Sequence, residues 1–273
     1  MIDLAEGDIL WVGRGRSKAD FGRFFEEIDP DYLSEVKAVA MDMNASYNIL
    51  VERHLPHAEI VYDRYHMQAR FGKYVPGVVR LQEAKAHKQQ SGELIEASRQ
   101  EESAEERRCL LEEARKESRL YSTLKSSRWT LLANGDNLSP QKAESLNIIL
   151  DSHSDLALCY AMKEEMCSLL ELRYLDEARR RWTQWFEEAK ASGIPALVRF
   201  AELKEKCIEG LVAHARHNIS TGKLEGFNNK IKVSKRIGYG YRDEDYFFTL
   251  IRYMSIPAVR FQSPRKTLRA NFF

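Results

Sequence analysis

Two short apolar runs, each closed by an aspartate, constrain this chain more than any other feature. The first is Val36–Met41, ending at Asp42, and the second is Ala58–Tyr62, ending at Asp63. A short apolar run followed by an acid and helix-capping residues reads as a buried parallel strand with the acid at its C-terminal end. Between the runs the pattern predicts a helix from about Ala45 to His54, stopped by Pro56. Strand, helix, strand is an α/β layout, and its crossover brings Asp42 and Asp63 to the same sheet edge. Ligands and chemistry gather at such edges in open α/β sheets. A plainer role is also open to these residues: Asp42, Asn44 or Ser46 caps the next helix, and Asp63 the one after it.

Ahead of the first run, Ile2–Leu4 and Asp8–Val12 flank Ala-Glu-Gly and predict an antiparallel hairpin. Ser17 caps a helix running to Ile28, with Phe21, Phe24, Phe25 and Ile28 on one face, ended by Asp29-Pro30.

From Met67 onward the character changes. Val78–Leu124 is long, charged and nearly free of helix breakers, which fits a helical hairpin or arm bending at Gln89–Gly92. Apolar residues are sparse there, so a disordered Gln82–Ser118 stands as the alternative. Lys125–Leu132, KSSRWTLL, reads as a short loop anchored by a core Trp129. Ser139-Pro140 opens a series of helices with apolar stripes. Within Asp176–Ser192, Trp182, Trp185 and Phe186 line one face, as a packed helical core does.

The next informative stretch is Ser220–Arg242, STGKLEGFNNKIKVSKRIGYGYR. Leu224, Phe227, Ile231 and Val233 predict a helix with one buried face, capped by Ser220 or Thr221. Glu225 then lies in its first turn, where the helix dipole favours a carboxylate. From Lys223 to Arg242 there are six bases and one acid. The formal net charge is only +1, so any nucleic-acid footprint has to come from such a local stripe. An ordinary solvated helix face would look the same.

Other classes find little support. Cys109, Cys159, Cys167 and Cys207 are widely spaced with no C-x-x-C pair, which argues against a zinc ribbon and fits thiols in a reducing cytoplasm. His214 and His217, at i, i+3, offer at most two zinc ligands on one helical face. No apolar run approaches the ~20 residues that span a bilayer, and MIDLAEGDILW lacks the basic start of a signal peptide.

Asp42 in VAMDMNASY, Asp63 and His66 in IVYDRYHM, and Glu225 in GKLEGFNNKIKVSKRIGYGYR resemble bacterial insertion-sequence transposases of the DDE type, in the ISL3 family. Arg128 and Trp129 in KSSRWTLL are similar to a family signature of the form R-W-x-L-L. The resemblance runs from Trp11 to the C-terminal region. It implies a ribonuclease-H-like core, with residues 1–66 as its first part, 67–194 as an all-helical insertion, and 195–273 as the helical return carrying Glu225.

The resemblance further implies metal-dependent cleavage and transfer of DNA strands. Two magnesium ions would be held by acids from three elements. Asp42 matches the second acid and Glu225 the third, so both are expected metal ligands. The first acid, on the family's opening strand, has no match, because Asp3 and Asp8 lie in the hairpin that follows it. The zinc-binding and helix-turn-helix segments ahead of the family's core are unmatched as well. The expectation is therefore the C-terminal part of a transposase, lacking its opening strand, inactive alone and prone to self-association.

Asp63 and His66 are expected accessories through the family's D-x-x-H step. Lys230, Lys232, Lys235 and Arg236 are expected phosphate contacts, and Tyr239 and Tyr241 stacking platforms for an unpaired base. DNA is the implied partner, a second copy of the chain a possible one, and the bacterial cytoplasm the implied location. A non-catalytic DNA-binding or regulatory fragment is the alternative reading, and a helical assembly protein a third.

Overall fold

The computed structural model describes residues 1–4, 8–15, 17–133, 135–217, 219 and 221–255. In chain order the elements are α1 (Lys18–Glu27), α2 (Pro30–Ser34), β1 (Ala38–Met41), α3 (Ala45–His54) and β2 (Glu59–Tyr62). Helices α4 (Arg64–Tyr74), α5 (Pro76–Gln100), α6 (Ala104–Ser126), α7 (Arg128–Leu132), α8 (Pro140–Ser152) and α9 (Ser154–Leu169) follow. The series closes with α10 (Leu175–Ala191), α11 (Pro195–Glu205), α12 (Ile208–Val212), α13 (Gly222–Ile237) and α14 (Glu244–Ser255). The chain divides into two compact units, one made of residues 1–63 and 217–273, the other of Arg64–Arg216. No helix among the described residues is long and apolar enough to cross a membrane.

The first unit is the α/β one. Strands β1 and β2 pair in parallel, from Ala38 opposite Glu59 to Met41 opposite Tyr62. Helix α1 starts with a capping box: Ser17 Oγ accepts the Asp20 amide, and the Asp20 carboxylate accepts the Ser17 amide, both at 3.0 Å. Its inner face delivers Phe24 and Phe25 into a core with Val39, Leu50, Val51 and Leu55. Each such side chain contributes roughly 1.5–3 kcal/mol by leaving water. Asn44 caps α3 by accepting the Ser46 amide at 3.0 Å, so the capping role open to Asp42 is filled by its neighbour. The expected N-terminal hairpin is present as a single antiparallel bridge, Ile2 to Ile9, with the Asp3 amide donating to the Asp8 carbonyl at 2.7 Å. Its Ala-Glu-Gly tip lies outside the described residues.

The regular elements among the described residues of the second unit are all helices. Helices α5 and α6 form the expected hairpin, but the bend is not at Gln89–Gly92. Gly92 lies inside α5 with open space where a Cβ would be, and its cost of roughly 1 kcal/mol is offset by pairing with α6. The turn falls instead at Glu101–Ser103, where the Glu101 carboxylate accepts the Ser103 amide at 3.0 Å and Ser103 caps α6. The disordered alternative for Gln82–Ser118 does not hold. Ala84, Ser91, Ser98 and Ala114 are buried at or near this interface. Small residues let two helices approach without a large apolar stripe, and Ser91 Oγ donates across to the Ala114 carbonyl at 2.9 Å. At the base, the buried Arg80 donates to the carbonyls of Leu124 and Lys125 at 2.7 and 2.9 Å.

Trp129 departs from its expected core position. It is 71% exposed, under the Arg128 guanidinium, and lies on a short helix rather than a loop. Leu131 is the buried anchor, and the Leu132 side chain lies so close to Gly72 that it would have to shift to admit a Cβ there. The buried Lys163 closes this short helix by donating to the carbonyls of Leu131 and Ala133 at 3.2 and 2.5 Å. The α10 face is core, as its periodicity suggests: Trp182, Trp185 and Phe186 are fully buried, and Phe71 and Phe200 pack edge-on at 5.0 Å beside Trp185. Helices α11 and α12 also belong to this unit, so it ends at Arg216, whereas the sequence-based division ends the insertion at Ile194.

Candidate active site

The parallel register determines what the sheet edge presents. The Asp63 amide donates to the Met41 carbonyl at 2.9 Å, continuing the ladder one residue past β2. Asp42 and Asp63 therefore follow paired residues at the same end of neighbouring strands. Asp42 is half-buried, and its Oδ1 accepts the Met43 amide at 2.7 Å. Asp63 is more deeply set, with 9% of its surface exposed.

Helix α13 is anchored to this edge by its first residues. Thr221 stands at the N-cap, yet its side chain makes no cap bond. Its hydroxyl donates to the Asp63 carboxylate instead. Two further polar contacts hold the same region: His217 Nε2 lies 3.0 Å from Glu59 Oε2, and Lys223 Nζ donates to the Leu4 carbonyl at 2.9 Å. Glu225 begins the next turn, its amide donating to the Thr221 carbonyl at 2.9 Å. One helical turn thus separates Glu225 from the threonine that grips Asp63. Ser220, the other candidate cap, lies outside the described residues.

The rest of α13 resolves into faces. At about 100° per residue, Thr221, Glu225, Lys232 and Arg236 fall on one stripe with Lys235 beside it, and Lys230 falls on the opposite side. All four bases and Glu225 are exposed. Leu224, Phe227 and Ile231 are the half-buried side of the helix, joined by Ser234. Val233 does not belong with them; it is 50% exposed. No described residue of α13 is fully buried, so polar contacts carry much of its attachment.

The two tyrosines after the helix differ. Tyr241 stacks on Phe247 at 4.6 Å and its hydroxyl reaches the Ser234 carbonyl at 3.4 Å. Its ring occupies the space a Cβ at Gly238 would need, 2.7 Å from the nearest atom. Tyr241 is thus spent on the turn. Tyr239 is fully exposed and adopts a left-handed backbone, φ 49°, a conformation costing a non-glycine residue about 1–2 kcal/mol.

His66 is exposed on α4 in the second unit, edge-on to Tyr65, whereas Asp63 belongs to the first. His214 and His217 share no helical face: His214 is buried in the 3-10 turn Ala213–Ala215, and His217 lies beyond it. Asp3 accepts the Tyr32 hydroxyl at 3.1 Å, and burial, with Asp3 nearby, pushes the Tyr32 phenol up to about 12. The role of Thr221 was not legible in sequence, where it reads as a helix cap. Only the partner across the fold redirects its hydroxyl.

Acids thus stand at the C-terminal edge of a parallel strand pair, and a helix with exposed bases is anchored to that edge through the Asp63 hydrogen bond. The chain belongs to the ISL3 family of insertion-sequence transposases: a transposase family model matches residues 1–251. It is 36% identical over 252 residues to the transposase for insertion sequence element IS1001 of Bordetella parapertussis, covering 92% of this chain and 55% of that protein. It is also 21% identical over 250 residues to the transposase for element IS1557 of Mycobacterium tuberculosis, covering 92% of this chain and 54% of that one. The chain spans about half the length of these curated relatives. No solved structure matches it significantly.

Proposed function

We propose that this chain contributes the carboxylate site for DDE-type DNA strand cleavage and transfer, on a ribonuclease-H-like core, with Asp42 and Glu225 as ligands of magnesium. The observation that carries this reading is the Thr221–Asp63 bond, which fixes the start of the Glu225 helix at the strand edge bearing Asp42. The donors fit the ion, because carboxylate oxygens are the hard ligands magnesium takes. When bound, a pair of such ions activates the attacking oxygen and stabilises the leaving one at phosphorus.

The chain's own residues do the positioning. Asp63 sets where Glu225 begins, which gives it an accessory part without direct ligation, and His66 is the second accessory through the D-x-x-H step. Lys232, Lys235 and Arg236 lie along the Glu225 side of α13, where a DNA backbone entering the site would run, and Lys230 contacts phosphate from the far side. Tyr239 offers an open ring to an unpaired base. The partner is DNA, both the element ends and the target, with a second copy of the chain completing the assembly.

Manganese, read by electron paramagnetic resonance, tests the site. Binding should weaken at least tenfold in both Asp42→Asn and Glu225→Gln; equal affinity in wild type and both variants would sink the assignment. The exposed bases favour one other reading, a non-catalytic DNA-binding or regulatory fragment. That reading gains if DNA binding is salt-dependent, with a log–log slope that drops by about 0.9 for each base removed, while manganese binding is absent.

A further inference from the structure

The second unit holds a cluster of a different kind. Glu83 and His87 lie one turn apart on α5, and His153 sits at the junction of α8 and α9. One ligand atom from each lies within 4.8 Å of the others. The outer nitrogens of both rings are already committed. His87 Nδ1 is 2.5 Å from Glu117 Oε2, and His153 Nδ1 is 2.8 Å from the Ile149 carbonyl oxygen. Both partners are acceptors, so each Nδ1 carries the hydrogen, and each neutral ring keeps its lone pair on Nε2. Those two Nε2 atoms face each other at 2.9 Å.

Two lone pairs at that separation repel. The arrangement is stable only with a cation between the rings or an extra proton on one of them. The convergence of a third donor, Glu83, favours the cation. So does the outer shell, because histidine ligands characteristically donate their second N–H to a carboxylate or a backbone carbonyl. Nitrogen donors select zinc-class ions over magnesium. Tetrahedral zinc, with bonds of about 2.0–2.1 Å, sets its ligands ~3.3 Å apart, so the two rings need to part by only a few tenths of an ångström.

We infer that Glu83, His87 and His153 bind a divalent transition-metal ion of the zinc class, with Glu117 and the Ile149 carbonyl orienting the two rings and water in the fourth position. The ion ties the α5–α6 hairpin to the α8–α9 junction. This site is separate from the carboxylate site and would stand if that assignment failed.

Cobalt is the probe. The metal-free chain should take up one equivalent with the visible absorption of a four-coordinate nitrogen-ligated ion. The signal should persist in Asp42→Asn and vanish in His87→Gln and His153→Gln. Glu117→Gln should weaken binding by about 10–100-fold, the usual effect of losing an outer-shell partner. Zinc should raise the melting temperature of the wild type and of no histidine variant. If the histidine variants fail to fold, X-ray absorption on the cobalt-loaded wild type decides by counting imidazole ligands: two support the site, none overturns it. Absence of cobalt uptake by the metal-free wild type, or uptake that survives both histidine substitutions, overturns it equally. A proton shared between the two rings, seen by nitrogen NMR with zinc present, does the same.

Discussion

Thr221→Val isolates the contact on which the site geometry depends. Valine keeps the shape and removes the hydroxyl. Because Thr221 makes no cap bond to its own helix, the substitution costs α13 nothing at its N-terminus. What is lost is the hydrogen bond to Asp63, a carboxylate with 9% of its surface exposed. A hydrogen bond to a charged, desolvated group contributes about 1.5–3 kcal/mol, which is roughly a 10- to 150-fold change in the equilibrium between the docked and undocked helix. None of the described residues of α13 is fully buried, and neighbouring polar ties are His217 to Glu59 and Lys223 to the Leu4 carbonyl. The core of Phe24, Phe25, Val39, Leu50, Val51 and Leu55 does not involve the helix. Amide exchange should therefore accelerate 10-fold or more in Gly222–Ile237 and stay unchanged in α1 and α3. Unchanged protection in α13 would refute the reasoning, and equal loss in α1 and α3 would show that the bond belongs to global rather than local stability.

Two further outcomes are expected. Tyr239→Gly relieves a left-handed residue and removes a fully exposed ring; the melting temperature should hold or rise while single-stranded DNA binding weakens severalfold, and unchanged binding would leave Tyr239 no role in stacking. Burial, and then Asp155, push the Cys159 thiol from 9.0 up to about 12. The unfolded chain releases this proton above pH 9 while the folded one keeps it, so stability is intact below pH 9 and falls as pH rises towards 12. The slope is about 1.4 kcal/mol per pH unit. Urea melts at pH 8 and pH 10.5 should differ by about 2 kcal/mol more in the wild type than in Cys159→Ala, and equal differences would refute it.

Local pattern alone determined a good deal of this protein. The limits of α3, the Ser17 cap, the two strands and the aromatic face of α10 follow from periodicity, capping chemistry and breaker residues, all of which act over a few positions. The family was legible for a related reason: Asp42, Asp63, Glu225 and the basic run sit in short motifs that need no partner to be read. Tertiary structure decided whatever depended on a distant neighbour. The hairpin turn moved from Gly92 to Glu101–Ser103 because pairing of α5 with α6 outweighs the propensity of one glycine. Trp129 lies outside and Leu131 inside, and the buried Lys163 binds the carbonyls of Leu131 and Ala133 at the end of their helix. Tyr241 and Tyr239 read alike in sequence, yet one fills the space above Gly238 and the other faces solvent. The Thr221 hydroxyl could serve its own helix or Asp63, 158 residues away. His87 and His153, 66 residues apart, signal nothing in sequence beyond the i, i+4 spacing of Glu83 and His87. Side-chain hydrogen bonds between remote elements leave no periodic trace, so these choices were made only when the chain closed on itself.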